Sequence, residues 1–302
     1  PAEPDAEELA ELEAMRDVGE GFEDPPVIWQ DVDYAEGERA DWYPRGESPL
    51  FEDLVEAGEL PPVEERVGPE PLVLEGVEGI GRYGGTWVRA ASSPSDVSII
   101  AWRLSATTLV RWSPLGYPIV PNLAKRWEAS EDRREWTFHL RRGVKYSDGH
   151  PLTADDVLYW WEDEVQAMGG RPPQWMITKG KPGRVEKMHD HTVRFVFPEP
   201  NATLLESLAS FGTLVPPEHY LRPYHPEYGD EETIAEALEA TGIPTKRGLY
   251  WHMKGFTNPE LPQLWPWIYR TFKPNPPQEF VRNPYYWAVD SEGNQLPYLD
   301  RV

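Results

Sequence analysis

Apolar residues recur with two clear periods in the middle of the chain. Trp136, Phe138 and Leu140 alternate with Thr137, His139 and Arg141, the two-residue period of a strand with one buried face. Further on, Val157, Trp161, Val165 and Met168 fall at i, i+4, i+8 and i+11, the stripe of a helix packed on a core. Ser147-Asp148-Gly149 reads as the turn between them. Thr153 is placed as the helix N-cap, and Asp156 three residues on completes a capping box. Gly169-Gly170 ends the helix. Residues 181–200 read as two strands joined by a turn around His189-Asp190-His191, and 201–212 and 231–242 as further helices.

The flanks are less regular. Gly84-Gly85 are predicted to precede an alternating strand that Ser92-Ser93-Pro94 breaks. Phe51, Leu54 and Val55 share a helical face that ends before Pro61-Pro62. Residues 1–26 are rich in Glu, Ala and Pro and read as a solvated tether. Residues 249–302 are loop-rich, and NQLPYLDRV at the end alternates like a strand beginning.

Charge sharpens this division. Of the net −23, residues 1–70 carry −19, with 23 acids against 4 bases. The remaining 232 residues hold 29 acids and 25 bases, so the body is near neutral, without the basic stripe that nucleic-acid binding requires. No apolar run approaches the roughly 18 residues of a transmembrane helix. The chain begins at Pro1 with no secretory n- and h-regions, and reads as a mature form or one whose start is cut away. Cysteine is absent, which excludes disulfides, thiolate zinc sites and thiol chemistry in this segment.

The polar block TFHLRRGVKYSDGHPLTADDV, 137–157, invites a catalytic reading, with His139, His150, Asp148, Asp155 and Asp156 close in sequence. Each has a local explanation. Asp155 and Asp156 sit in a helical first turn, where the macrodipole favours negative charge, and His150 flanks a turn. His189 and His191 sit at a hairpin turn and lack a third metal ligand. No nucleophile elbow, phosphate-binding loop or dinucleotide glycine pattern is present. These observations call for no catalytic residue, no metal and no cofactor. Tryptophan is the more informative excess: twelve of the fourteen follow residue 80. Trp136 and Trp161 have core periodicity. Trp102 and Trp251 lie where no buried register is evident, and tryptophan suits amphipathic ligand pockets.

The segment VPNLAKRWEASEDRREWTFHLRRGVKYSDGHPLTADDVLYWW, 120–161, closely resembles the most recognisable block of the extracellular solute-binding proteins of family 5. VEKMHDHTVRFVFPEPNATLLESLAS, 185–210, and VRNPYYW, 281–287, resemble further blocks of that family in the same order. PLFEDLVEAGELPPVEERVGPEPLVL is similar to the N-terminal extension of its longer members, so the resemblance covers roughly 49–302. One departure stands out: LPQLWPWIY, 261–269, replaces the family's GTGPY.

The resemblance implies an α/β fold, a periplasmic-binding-protein-like mixed-sheet lobe of the class II type, incomplete, with the second lobe largely missing. It implies an acidic flexible tether over 1–45, an extended N-terminal extension over 46–80, and a first lobe over 81–302 with an inserted subdomain at about 109–210. The expected function is the substrate-binding component of an ABC importer that captures oligopeptides for a membrane permease. The expected form is a monomer in the periplasm or on the outer face of the cytoplasmic membrane, anchored through a lipidated cysteine missing from this sequence. A receptor of the same fold for cello- or xylo-type oligosaccharides is the alternative, and a glycoside hydrolase a third. Ser92, Ser93 and Asp96, in the stretch after the first strand, either face the ligand cleft or form an ordinary strand-to-loop turn. Trp102, Phe211 and Trp251 complete the candidate ligand-binding set.

Overall fold

The computed structural model describes residues 30–302 except 77–78, 91, 105–106, 114–115, 211–213 and 272–276; the side chains of 94, 97, 99, 100 and 102 also lie outside the described set. Its strands are β1 (Leu72–Leu74), β2 (Val110–Trp112), β3 (Ile119–Pro121), β4 (Ala124–Ala129), β5 (Glu135–Leu140) and β6 (Ile177–Thr178). They continue with β7 (Lys181–Pro182), β8 (Arg184–His189), β9 (Thr192–Val196), β10 (Trp267–Tyr269), β11 (Phe280–Arg282) and β12 (Ala288–Asp290). The largest sheet has the antiparallel order β4-β5-β9-β8.

The two-residue period places Trp136, Phe138 and Leu140 on the buried face of β5, opposite Val193 and Phe195 of β9. Phe138 and Phe195 meet edge to face at 5.6 Å, a pairing that adds about 1 kcal/mol to simple burial. The helix Ala154–Tyr159 begins with the expected capping box. Thr153 Oγ1 accepts from the Asp155 N–H at 3.3 Å, and Asp156 Oδ2 accepts from the Thr153 N–H at 2.9 Å. Val157, Trp161, Val165 and Met168 are all buried. Trp160 is buried too, outside the predicted stripe. From Trp160 to Ala167 the helix widens to a π-helix; Trp160 and Trp161, three and four residues after Val157, both turn inward, and Trp160 stacks on Trp175 at 5.7 Å. The helix Glu231–Thr241 is capped by Asp230 and closed by Gly242 in the left-handed region, φ +69°.

The N-terminal part is more integrated than the sequence suggested. The expected tether, 1–45, is folded over its last residues: Ala40 and Trp42 are buried with Val63, Val67, Val73 and Val289. The expected extension supplies β1, which pairs in parallel with β12. Buried charge ties it down. Arg141 donates to the carbonyls of Asn122 at 2.6 Å and Pro71 at 2.8 Å, and to the Tyr34 hydroxyl. Glu70 accepts from Lys125 at 2.6 Å and from the Arg142 side chain at 2.7 Å. Burial pushes the Glu70 carboxyl up, but these donors outweigh it, and its pKa lies below the ordinary carboxylate value.

Two flank expectations fail. The strand after Gly84-Gly85 is reduced to a single bridge, Thr86 with Arg301, and Val88 is 83% exposed. Its register is held from one side only, by Trp87 N–H to Arg301 O and Asp300 N–H to Gly85 O. The face shared by Phe51, Leu54 and Val55 is not buried as a stripe: Phe51 is inside while Leu54 is 40% exposed.

Candidate functional site

The polar block of 137–157 is scaffold. Asp148 accepts from the His150 N–H at 3.1 Å and lies 2.8 Å from His219 Nε2, and the His150 and His219 rings stack at 3.8 Å. Asp155 bonds Lys187 at 2.7 Å. Asp156 serves the cap and also accepts from the Glu218 N–H at 3.2 Å. His139 Nε2 lies 3.2 Å from Glu128. Among the described residues no three His, Cys, Asp or Glu gather as a metal site.

Ser92, Ser93 and Asp96 form a turn closed on itself. The Asp96 carboxylate accepts from the Ser92 N–H at 2.6 Å, the Ser93 N–H at 3.1 Å and the Ser93 hydroxyl at 3.1 Å. The backbone bond from Ser92, followed by those from Ser93, holds its pKa below the ordinary value. The helix that follows, Val97–Leu104, packs Ala101 and Leu104 against Tyr269 and Phe280 of the β10–β11 pair. Trp102 lies on that helix with its side chain outside the described set, and Phe211 is outside the described residues. Trp251 is 49% exposed on the helix Lys246–Met253, with the Lys254 ammonium 5.3 Å from its ring centre.

The segments carrying these candidates lead into one crevice of about 100 Å³. Thr107 enters it just beyond the 97–104 helix, Val215-Pro216-Pro217 shortly after Phe211, and Lys254 and Phe256 shortly after Trp251. The crevice forms where three packing units meet. Tyr146, Val215 and Leu264 belong to the main core, Leu261 to the helical cluster around Tyr250, and Phe256 and Trp265 to the cluster beneath the 97–104 helix.

Gln263 is its most telling residue. Its backbone is pinned: the N–H donates to Ser147 Oγ at 3.0 Å, and the carbonyl accepts from the Ser147 N–H at 2.9 Å. The residue lines the crevice and is only 5% exposed. Yet neither Nε2 nor Oε1 has a partner among the described residues. A buried polar group left unpaired costs about 1–3 kcal/mol, a cost that no contact among the described residues offsets at Gln263.

The other polar groups around the crevice are engaged. The Tyr146 hydroxyl is 3.2 Å from the Val215 carbonyl and 3.3 Å from that of Pro216, and burial raises its pKa well above the ordinary phenol value. Lys254 Nζ lies 2.7 and 2.5 Å from the two oxygens of Glu164, whose Oε1 also accepts from the Tyr250 hydroxyl at 2.6 Å. Composition and periodicity gave no signal for Gln263, because a lone glutamine in a proline-rich loop has no pattern. The one pointer was the departure of LPQLWPWIY from the family's usual residues.

The chain matches solved and curated proteins over most of its described length. The oligopeptide-binding protein OppA superposes with a TM-score of 0.78 at 42% identity, over 85% of this chain and 40% of that one. The periplasmic binding protein MelB of Agrobacterium fabrum C58, solved with stachyose, gives 0.64 at 28% identity, over 93% and 45%. The periplasmic alpha-galactoside-binding protein of Rhizobium meliloti (strain 1021) is 32% identical over 282 residues, 84% of this chain and 38% of its own length. The chain thus spans less than half the length of each of these relatives. Residues 118–302, including the capped helix, the four-stranded sheet and the crevice loop, match the family model "Bacterial extracellular solute-binding proteins, family 5 Middle". With its mixed α/β architecture matching solved periplasmic binding proteins as well, the chain belongs to the family-5 bacterial extracellular solute-binding proteins.

Proposed function

We propose that the protein is the binding component of an ABC importer, capturing an oligopeptide outside the cytoplasmic membrane and passing it unchanged to a permease. The observation that carries this reading is the superposition on the oligopeptide-binding protein OppA, with a TM-score of 0.78 at 42% identity. The crevice, lined by Phe256 and Trp265, adjoins the segments that carry the candidate residues. Ligand sites of whole small molecules occupy roughly 300–1,000 Å³, so a crevice of about 100 Å³ takes one group of an oligomer. In this proposal Trp251 faces the ligand beside Lys254. Ser92, Ser93 and Asp96 shape the turn leading to the site, and Trp102 and Phe211 lie on segments adjoining it. A periplasmic, lipid-anchored monomer and a binding role without catalysis belong to the same proposal.

A second reading, capture of oligosaccharides, is favoured by the match to an alpha-galactoside-binding relative over 84% of this chain and to a stachyose complex. Intrinsic tryptophan fluorescence separates the two when the full-length protein is titrated with tri- to pentapeptides and with stachyose, cello- and xylo-oligosaccharides. Saturable quenching by peptides alone supports the first reading and by saccharides alone the second. Recovery of a ligand in cleaved form would refute the non-catalytic assignment.

A further inference from the structure

We infer that the contact between residues 146–156 and residues 215–219 is a proton-operated latch, held shut while Asp156 is neutral and loosened when it ionises. The latch is independent of which ligand the protein takes. Both segments wall the crevice, Tyr146 from one and Val215, Pro216 and Pro217 from the other. Three side chains of the first segment reach across to the second. Asp156 Oδ1 accepts from the Glu218 N–H at 3.2 Å, while Oδ2 is committed to its own cap, at 2.9 Å from the Thr153 N–H. The Tyr146 hydroxyl meets the Val215 and Pro216 carbonyls. Asp148 Oδ2 lies 2.8 Å from His219 Nε2, whose ring stacks on that of His150. Asp156 is the buried member of the three that titrates near neutrality, and among the described residues it makes no ion pair.

The cations of the surrounding elements are engaged elsewhere. On the Glu218–Leu221 side, Arg222 is bonded to Glu218 at 2.8 Å, and the Glu218 charge itself opposes ionisation of Asp156. On the hairpin side, Lys187 holds Asp155 at 2.7 Å and Asp190 at 2.9 Å, His189 and His191 act on Asp190, and Arg194 is turned to Glu135. On the turn side, Tyr146 is a phenol that burial keeps neutral. Burial pushes the Asp148 carboxyl up, but His219 and the His150 N–H outweigh it and hold its pKa below the ordinary value. An ionised Asp156 is therefore buried with two N–H bonds and no cation, and burial raises its pKa to about 6. Opening the joint hydrates the carboxylate and returns it toward its ordinary 3.8. Because the pKa is higher in the shut form, the latch is tightest in acid and loosens as pH rises through about 6. His219 acts in the same sense: its protonated ring gives Asp148 a charged partner across the joint, and deprotonation removes that charge.

The test is amide hydrogen exchange in the full-length protein, read by NMR as protection factors so that the intrinsic pH dependence of exchange drops out. Between about pH 5 and about pH 7.5 the Glu218 N–H is expected to lose about tenfold in protection through Asp156. At both pH values it should exchange faster than the β5–β9 amides and respond little to low urea, the marks of a local opening. Asp156→Asn removes most of that loss, and adding His219→Gln removes the rest. A readout that needs no variant accompanies these: in wild type the Glu218 amide proton shift should follow the Asp156 carboxyl-carbon shift, with one midpoint near pH 6. Protection at Glu218 that ignores pH, a pH dependence undiminished in Asp156→Asn, or exchange of Glu218 only through global unfolding overturns the latch. So does a Glu218 amide shift that does not follow the Asp156 titration.

Discussion

Asp156 provides a titration test of how tightly the middle of the protein is packed. It is 4% exposed, and burial lifts its carboxyl from 3.8 to about 6, against the opposing bonds from the Thr153 N–H and the Glu218 N–H. A carboxyl whose folded pKa exceeds its unfolded value stabilises the fold in its protonated form. That contribution is complete below about pH 3.8 and is lost as pH rises through about 6. A shift of this size is worth about 3 kcal/mol in all, of which about 1.4 kcal/mol falls between about pH 5 and about pH 7.5. Asp156→Asn keeps the shape and one carbonyl acceptor but does not titrate. It turns an NH₂ toward one of the two backbone N–H groups, a loss of about 1–2 kcal/mol that is independent of pH. Urea unfolding followed by tryptophan fluorescence at the two pH values, for wild type and variant, isolates the effect. Wild type is expected to lose about 1.4 kcal/mol more than Asp156→Asn as pH rises between these values. Parallel pH profiles for the two proteins would refute the assignment, whatever the offset between them.

Other substitutions follow from the same contacts. Arg141→Met removes the bonds to Asn122, Pro71 and Tyr34, and is expected to cost about 3 kcal/mol and to speed proteolysis within 34–71; an unchanged cleavage pattern would contradict the clamp. Thr153→Ala loses the cap hydroxyl and should lower stability by about 1 kcal/mol, read as a shift in the urea midpoint at constant slope. Gln263→Met replaces two unpaired polar atoms by apolar ones and should raise the stability of the ligand-free protein by about 1 kcal/mol. A fall in its melting temperature would show that the amide is paired in solution.

The parts of the fold legible in the sequence are those set by short-range rules. The β5 alternation, the Thr153–Asp156 capping box and the Gly242 helix stop depend on residues within a few positions of one another, and each takes the form its pattern dictates. What was missed depends on distant partners. Trp42 has no periodic context, and it is buried because β1 pairs with β12 and brings Val73 and Val289 beneath it. Trp160, three residues after Val157, lies at the edge of the helical face, and its ring is covered by Trp175, a stacking partner distant in sequence. Conversely, the 86–90 segment has strand-like residues but meets a single bridge at Arg301, and a strand's pattern cannot supply its partner.

The candidate site shows the same division in sharper form. The resemblance points to Ser92, Ser93 and Asp96 by position alone, as part of the extended segment after the first strand. The same residues are also the best at satisfying their own backbone, and in the structure Asp96 spends three acceptor contacts on its own turn. Gln263 has the opposite character. Its long side chain closes no local turn, its backbone is held by Ser147, and its amide is buried without a hydrogen-bond partner among the described residues. A resemblance to a family locates a site best where the chain agrees with the family. Here the unpaired amide lies within 261–269, where the chain departs from it, so the blocks that carry the resemblance say nothing about Gln263.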